Sequence, residues 1–274
     1  MAESVFAYRY GFIGAGAMAE AIVCGMIQSG LCQGSEIVMS NRSADKLNRL
    51  KTAYGVAATL DNNLVMQQAE YIILAVKPQQ FQAVCDTLTV APGSKQAVVS
   101  IMAGMPIANI KAKLGACTVL RAMPNTPAKI GWGMTGVACD DTVTDLQRQI
   151  VQRIFDSVGK TVFVDESYMD ALGAVSGCGP AYMYQIIEAM ADGAVLTGLP
   201  RALAYELAAQ TMAGSAMMVL ETGEHPAVLK DQVTSPGGTT IRGIKAMETH
   251  GVRNGMIEAV QQAYIRSKEL GEIE

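Results

Sequence analysis

Histidine is almost missing from this 274-residue chain; only His225 and His250 occur. Cysteine is present six times, at 24, 32, 85, 117, 139 and 178, but with no CxxC pair and no Cys/His cluster. Zinc needs three or four such ligands at short, characteristic spacing, so no metal site is expected. The same scatter excludes a small disulfide framework and reads as a cytoplasmic, reduced protein. Charge is scarce as well, at 17% of residues, and the net charge of −4 provides no basic face for nucleic acid. No apolar run approaches the ~18 residues of a membrane span. The opening MAESVFAYRYGFIGAG carries no basic segment followed by a leader-like stretch and a cleavage site.

What is present is core material. Half of the residues are apolar, and the length suits one large domain or two ordinary ones. Up to about residue 165, short β-like runs alternate with helical ones. VFAYRYGFI ends in a glycine cluster, and GAMAEAIVCGMIQSG then has helical spacing with a stop at Gly30. EIVMS is a second strand. SADKLNRLKTAYG is a helix with Ser43 as N-cap and Gly55 as C-cap. YIILAVKP is apolar throughout, as a strand buried on both faces would be, and stops at Pro78. QAVVSIMAG, CTVLRAMPN, GMTGVACD and GKTVFVDE are further strands, with TVTDLQRQIVQRIFDSVG as a helix between the last two. This alternation predicts an α/β domain over 1–165, a Rossmann-type doubly wound parallel sheet. Beyond it, over 166–274, the pattern is all-helical, with Pro180 and Pro200 at or near first turns. Those helices are apolar on more than one face, which predicts a helical dimer interface; the alternative is an unusually large monomeric core.

Gly14-Ala15-Gly16-Ala17-Met18-Ala19 fits G-x-G-x-x-A at the junction of a strand and a helix. In that context Gly14 makes the tight turn, Gly16 admits a pyrophosphate, and the N–H groups of the helix start point at the phosphates. An NAD-type site ends its second strand on an acid that holds the ribose 2′-OH. Here that strand ends Asn41-Arg42-Ser43, with no acid before Asp45. Arg42 suits a 2′-phosphate, with Asn41 and Ser43 as additional donors; the alternative is a solvated arginine before a helix. The reading favours NADPH and leaves NADH use open. Ala75, Val76, Lys77 and Pro78 end one strand, and Met123, Pro124 and Asn125 end another. In a parallel sheet both ends face the same crevice, and Asn125 is a candidate partner for the ribose or the nicotinamide amide.

Within the helical half, SPGGTT at 235–240 interrupts the pattern more than a helix stop requires. Ser235 can donate, Gly237 and Gly238 can turn their N–H groups inward, and Thr239 and Thr240 begin the next helix. On these residues alone the run suits either an anion cradle or a helix–helix turn with a threonine N-cap.

Taken together, GFIGAGAMAEAI, AVKPQ, RAMPNTPA, GPAY, EAMADGAVLTGLPR, ETGEHP and the final SPGGTTI resemble the pyrroline-5-carboxylate reductase family over nearly the whole chain. The last run is the most specific, because generic Rossmann reductases do not carry it. The resemblance implies reduction of the C=N bond of 1-pyrroline-5-carboxylate to L-proline, the last step of proline biosynthesis. It implies helical domains that interlock into homodimers, which in many members assemble into homodecamers. It assigns Ser235, Gly238 and Thr239 to the substrate carboxylate and Thr240 to the neighbourhood of the ring nitrogen. Two positions depart from the family pattern: Ala17 stands where asparagine is frequent, and Cys178 stands in place of a serine. Neither histidine is expected to be the general acid. The β-hydroxyacid dehydrogenases, the nearest rival, use a lysine on the interdomain helix, and AVSGCGPAYMYQ contains none.

Overall fold

The computed structural model describes residues 6–273. Val5, the first residue of the expected opening strand, lies outside them. The chain begins with β1 (Tyr8–Ile13), α1 (Ala17–Gln28), β2 (Ile37–Ser40), α2 (Ala44–Tyr54), β3 (Ala57–Thr59), α3 (Asn62–Gln68) and β4 (Ala69–Leu74). It continues through α4 (Pro78–Cys85), β5 (Ala97–Ser100), α5 (Ile107–Leu114), β6 (Thr118–Met123), β7 (Gly133–Cys139), α6 (Asp145–Asp156) and β8 (Gly159–Phe163). The remainder is helical: α7 (Met169–Leu172), a π turn at Gly173–Gly177, α8 (Gly179–Leu196), α9 (Arg201–Thr222), α10 (Pro226–Gln232), α11 (Thr239–Thr249) and α12 (Val252–Ile273). Among the described residues no helix is long and apolar enough to cross a membrane.

The eight strands form one sheet in the order β3-β2-β1-β4-β5-β6-β7-β8. The first six strands are parallel to one another, as the alternation of strands and helices predicts. The expectation of a fully parallel sheet needs one correction: β7 runs antiparallel to β6, and β8 follows β7. The physical reason is the short link between them. Only a 3₁₀ turn at Thr126–Ile130 separates β6 from β7, and a parallel return requires a dozen or more residues. β3 and the helices α3 to α5 were not singled out in the sequence, since β3 is three residues long and only partly buried.

Side chains alternate between two cores, as the period of two demands. Tyr10, Phe12, Tyr71 and Ile73 point to the side of α1, α2 and α6, with Ile22, Met26, Leu50 and Phe155. Ile13, Ile72 and Leu74 point to the other, with Val65, Phe81 and Ile110 from α3, α4 and α5. The strand expected to be buried on both faces, β4, is so along nearly its whole length. Each such fully buried Ile or Leu contributes about 1.5–3 kcal/mol. The caps of α2 fall where the sequence put them: Ser43 Oγ accepts the Lys46 N–H, and Gly55 ends the helix at φ 69°.

The chain divides into two compact units, one running to Gly177 and including Ala263 onward, the other Cys178–Gln262. In the first unit, buried Arg121 of β6 donates to Glu166 and Asp170 at 3.4 Å each. Ser267 Oγ donates to Asp170 Oδ1 at 2.8 Å, which ties the end of α12 to this unit. The second unit has little core of its own. Its fully buried apolar cluster is Ala191, Ala204 and Ala208, while Leu196, Leu220 and Val233 are 89%, 69% and 66% exposed. Apolar surface on this scale marks an interface.

Candidate functional site: a glycine turn with a cleft, and an anion cradle

The glycine turn sits where the strand order reverses, between β1 and its two neighbours β2 and β4, the position at which open α/β sheets bind ligands. The Gly14 N–H donates to Ser40 C=O at 2.9 Å and the Ala75 N–H to Ile13 C=O at 2.8 Å, so the ends of β1, β2 and β4 are stitched together. Gly14 has φ +102°, and a Cβ there would stand 2.5 Å from the Ala75 carbonyl oxygen. Only glycine fits both constraints. Gly16 is the N-cap of α1 and, lacking a side chain, provides no capping bond. The first N–H groups of the helix, starting at Ala17 and Met18, are thus left to an external acceptor. Glu20 stands in the first turn of the same helix, where its charge would oppose an anion. Arg49 donates to both its oxygens at 2.7 and 2.6 Å. That contact holds the Glu20 carboxyl below its usual range and pairs its charge.

A cleft of about 270 Å³ opens beside the turn, lined in part by Gly14, Asn41, Arg42, Asp61, Asn62 and Val76. It brings together Gly14 of the glycine turn, Asn41 and Arg42 of the candidate 2′-phosphate residues, and Val76 just beyond β4; Ser43 does not line it. Arg42 is exposed and makes no ion pair among the described residues. Ser43 follows as the cap of α2, with Lys77 exposed and Pro78 beginning α4. Sequence reasoning missed Asp61 and Asn62. They follow β3, whose three residues are too few to read as a strand, although Asp-Asn-Asn before an apolar run is a helix-start signal.

Met123 ends β6, and Pro124 and Asn125 lie just beyond. The Asn125 side chain is engaged at both ends: Nδ2 donates to Ser176 C=O at 2.9 Å and Oδ1 accepts the Met134 N–H at 2.9 Å. Met123 Cε lies against Gly173 and Gly177 of the π turn. These contacts fix the loop after β6 against the chain leading to α8.

In the second unit, SPGGTT forms the link from α10 to α11. Gly237 adopts φ +69°, and the Gly238 N–H donates to Ser235 C=O at 3.1 Å. The N-cap of α11 is Gly238, without a capping side chain, and Thr239 and Thr240 are its first helical residues. The alternative of a threonine N-cap is therefore corrected. A glycine cap leaves the first N–H groups of α11 open beside the Ser235 hydroxyl, the arrangement that suits an anion. The two histidines occupy helix ends: His225 Nδ1 accepts the Ala227 N–H at the start of α10, and His250 closes α11. Cys178 precedes α8 and is exposed. Tyr182, one turn on, donates its hydroxyl to Ala259 C=O at 3.2 Å; burial and the neighbouring thiol push its phenol up. Among the described residues no group of three or more His, Cys, Asp or Glu is placed to hold a metal.

The family described as pyrroline-5-carboxylate reductase dimerisation matches residues 166–270, and the one described as NADP oxidoreductase coenzyme F420-dependent matches residues 9–104. A pyrroline-5-carboxylate reductase of a Synechocystis strain is 44% identical over 96% of this chain and 98% of its own. The solved structure of a pyrroline-5-carboxylate reductase from Coxiella burnetii is 38% identical, with a TM-score of 0.87 over 96% of this chain and 98% of that one. A Plasmodium falciparum pyrroline carboxylate reductase, solved with NADP bound, is 29% identical, with a TM-score of 0.86 over 96% of this chain and 98% of its own. With its glycine turn where the strand order reverses, its helical second half and these likenesses over 96% of its length, the chain belongs to the pyrroline-5-carboxylate reductase family.

Proposed function

We propose that the chain reduces 1-pyrroline-5-carboxylate to L-proline with NAD(P)H. The observation that carries this reading is the SPGGTT cradle, a glycine-capped helix start beside a serine hydroxyl, in a chain that also carries a dinucleotide turn. The cofactor supplies the hydride; the chain's own residues bind, orient and manage charge. Gly14, Ala15 and Gly16 with the N–H groups of Ala17 and Met18 hold the pyrophosphate. Asn41, Arg42 and Ser43 receive the 2′-phosphate. Ala75, Val76, Lys77 and Pro78 with Met123, Pro124 and Asn125 flank the nicotinamide half, Asn125 mainly by fixing its loop. Ser235, Gly237, Gly238 and Thr239 take the substrate carboxylate, and the Thr240 hydroxyl meets the ring nitrogen. A cyclic iminium is already electrophilic, so the protein's main task is to hold C=N at a near-attack distance of roughly 3–3.5 Å from the hydride donor.

The exposed apolar faces of the helical unit support a homodimer, and decamers of such dimers are the larger assembly to look for. Light scattering should give a dimer or a multiple of it, and a monomer at assay concentration would overturn the assignment. Six free thiols suit a reducing cytoplasm.

Purified protein mixed with 1-pyrroline-5-carboxylate and either NADPH or NADH tests the activity directly. Failure to oxidise both cofactors sinks the reading. Arg42→Ala should raise KM for NADPH about 10- to 100-fold, the worth of one or two charge-assisted hydrogen bonds. NADH should change little, and equal losses would remove Arg42 from the phosphate site. Thr240→Ala should lower kcat about tenfold or more, by loss of one hydrogen bond near the reacting nitrogen. Unchanged kinetics would take Thr240 out of the site.

A further inference from the structure

The cleft beside the glycine turn contains a carboxylate for which the cofactor assignment gives no role. Asp61 lines it together with Asn41 and Arg42. It caps α3: its Oδ1 accepts the Asn63 N–H at 2.8 Å and Asn63 Nδ2 at 3.1 Å. The next residue fixes the position of this loop, because Ser40 Oγ at the end of β2 donates to Asn62 Oδ1 at 2.7 Å. Asp61 is thereby held in register with the β2 end that carries Asn41 and Arg42. It is exposed, and among the described residues it pairs with no cation, Arg42 included. An anionic and a cationic side chain thus line one cleft without neutralising each other.

We infer that Asp61 is a specificity-determining residue that limits the preference for a phosphorylated ribose and sustains the use of NADH. The inference rests on the assignment of the adenosine half of the cofactor to this cleft. A carboxylate accepts a hydrogen bond from a ribose 2′-OH, the role an acid at the end of the second strand has in NAD-type sites. The same carboxylate repels a 2′-phosphate, which carries roughly two negative charges near neutrality. Arg42 acts in the opposite sense. The cleft therefore holds both handles, one on each loop, and the ratio of the two cofactors is set by their balance.

Asp61→Asn isolates the charge, because asparagine caps a helix as well as aspartate does. The measurement is kcat/KM for NADPH and for NADH at saturating 1-pyrroline-5-carboxylate, in low and in high salt, with Arg42→Ala alongside. In Asp61→Asn the NADPH/NADH ratio should rise about three- to tenfold, as expected for one charge at a solvated site. The rise should shrink at high ionic strength, where such effects are screened. A purely structural role would lower both cofactors together and leave the ratio unmoved. If Asp61→Asn melts early, Asp61→Ser, another good cap, repeats the measurement. A ratio unchanged in the Asp61 variants while Arg42→Ala shifts it would overturn the inference and leave the cofactor assignment standing. A ratio unchanged in all of them would overturn the assignment of the cleft itself.

Discussion

An enzyme with Gly14→Ala should lose measurable NADPH binding and several degrees of melting temperature at once. Gly14 has φ +102°, where an L side chain is strained, and the added Cβ would meet Ala75 O at 2.5 Å, Ala75 C at 2.8 Å and Val76 Cγ1 at 3.0 Å. Two of these three atoms belong to the backbone just beyond β4 and cannot turn away as a side chain can. The strained dihedral costs about 1–3 kcal/mol and overpacking a similar amount. The chain relieves them by moving the β1 turn off Ala75, which breaks the stitching of the Gly14 and Ala75 N–H groups and misdirects the first N–H groups of α1. Affinity for NADPH should therefore fall by at least about 100-fold, since more than one charge-assisted hydrogen bond is misplaced. Gly16→Ala is the control. Gly16 has φ −72° and nothing closer to its would-be Cβ than Ala75 O at 3.9 Å. It should melt like the parent and still bind cofactor less well, because its methyl would occupy the approach proposed for the pyrophosphate. Titration of both variants by NADPH fluorescence, with thermal melts, separates the two effects. Full-strength NADPH binding by Gly14→Ala would refute the turn's assignment.

The sheet was legible because its physics is local. β1, β2 and β4 are short apolar runs ended by Gly, Asn or Pro signals, and α1 and α2 carry their own stops and caps. The reversal at β7 is not written in the strand's own residues; its sign was the connection between RAMPN and GMTGVACD, too short for a parallel return, which the expectation of a fully parallel sheet passed over. That Gly14 and Arg42 come to one cleft could be read from their places at the ends of the first two strands. Asp61 and Asn62 could not, because they join the cleft only when three-residue β3 pairs with β2 and carries α3 beside the Arg42 loop. Asn125 shows a third case. Its residue type suggested a ligand contact, whereas its two side-chain bonds depend on the antiparallel return of β7, which carries Met134, and on Ser176, far along the chain. The apolar faces of α8 and α9 were readable as unsatisfied surface, but not which small residues, Ala191, Ala204 and Ala208, would close the two helices on each other.

The cradle at 235–240 should respond to a methyl group in the opposite way to the glycine turn: loss of chemistry with little loss of fold. In a Gly238→Ala enzyme the new Cβ would stand closer to Ser235 Oγ than van der Waals contact allows, and 3.2 Å from Ser235 O. Gly238 itself has φ −71° and ψ 179°, extended backbone that alanine adopts freely. Ser235 is exposed, so its hydroxyl can rotate out of the way at the cost of a rotamer change. Alanine as an N-cap is worse than glycine by about 1 kcal/mol or less, and α11 should melt almost as before. What the rotation removes is the hydroxyl poised beside the open N–H groups of α11, and the methyl stands where a bound carboxylate would sit. Loss of one or two charge-assisted hydrogen bonds at about 1.5–3 kcal/mol each predicts a fall of roughly 100-fold or more in kcat/KM for 1-pyrroline-5-carboxylate. NADPH binding, measured without substrate, should be unchanged. Ser235→Ala, which removes the hydroxyl without adding bulk, should lose only the smaller part, about tenfold. If Gly238→Ala retains parental kcat/KM, the glycine is there to turn the chain between α10 and α11, and the carboxylate must be held by other residues.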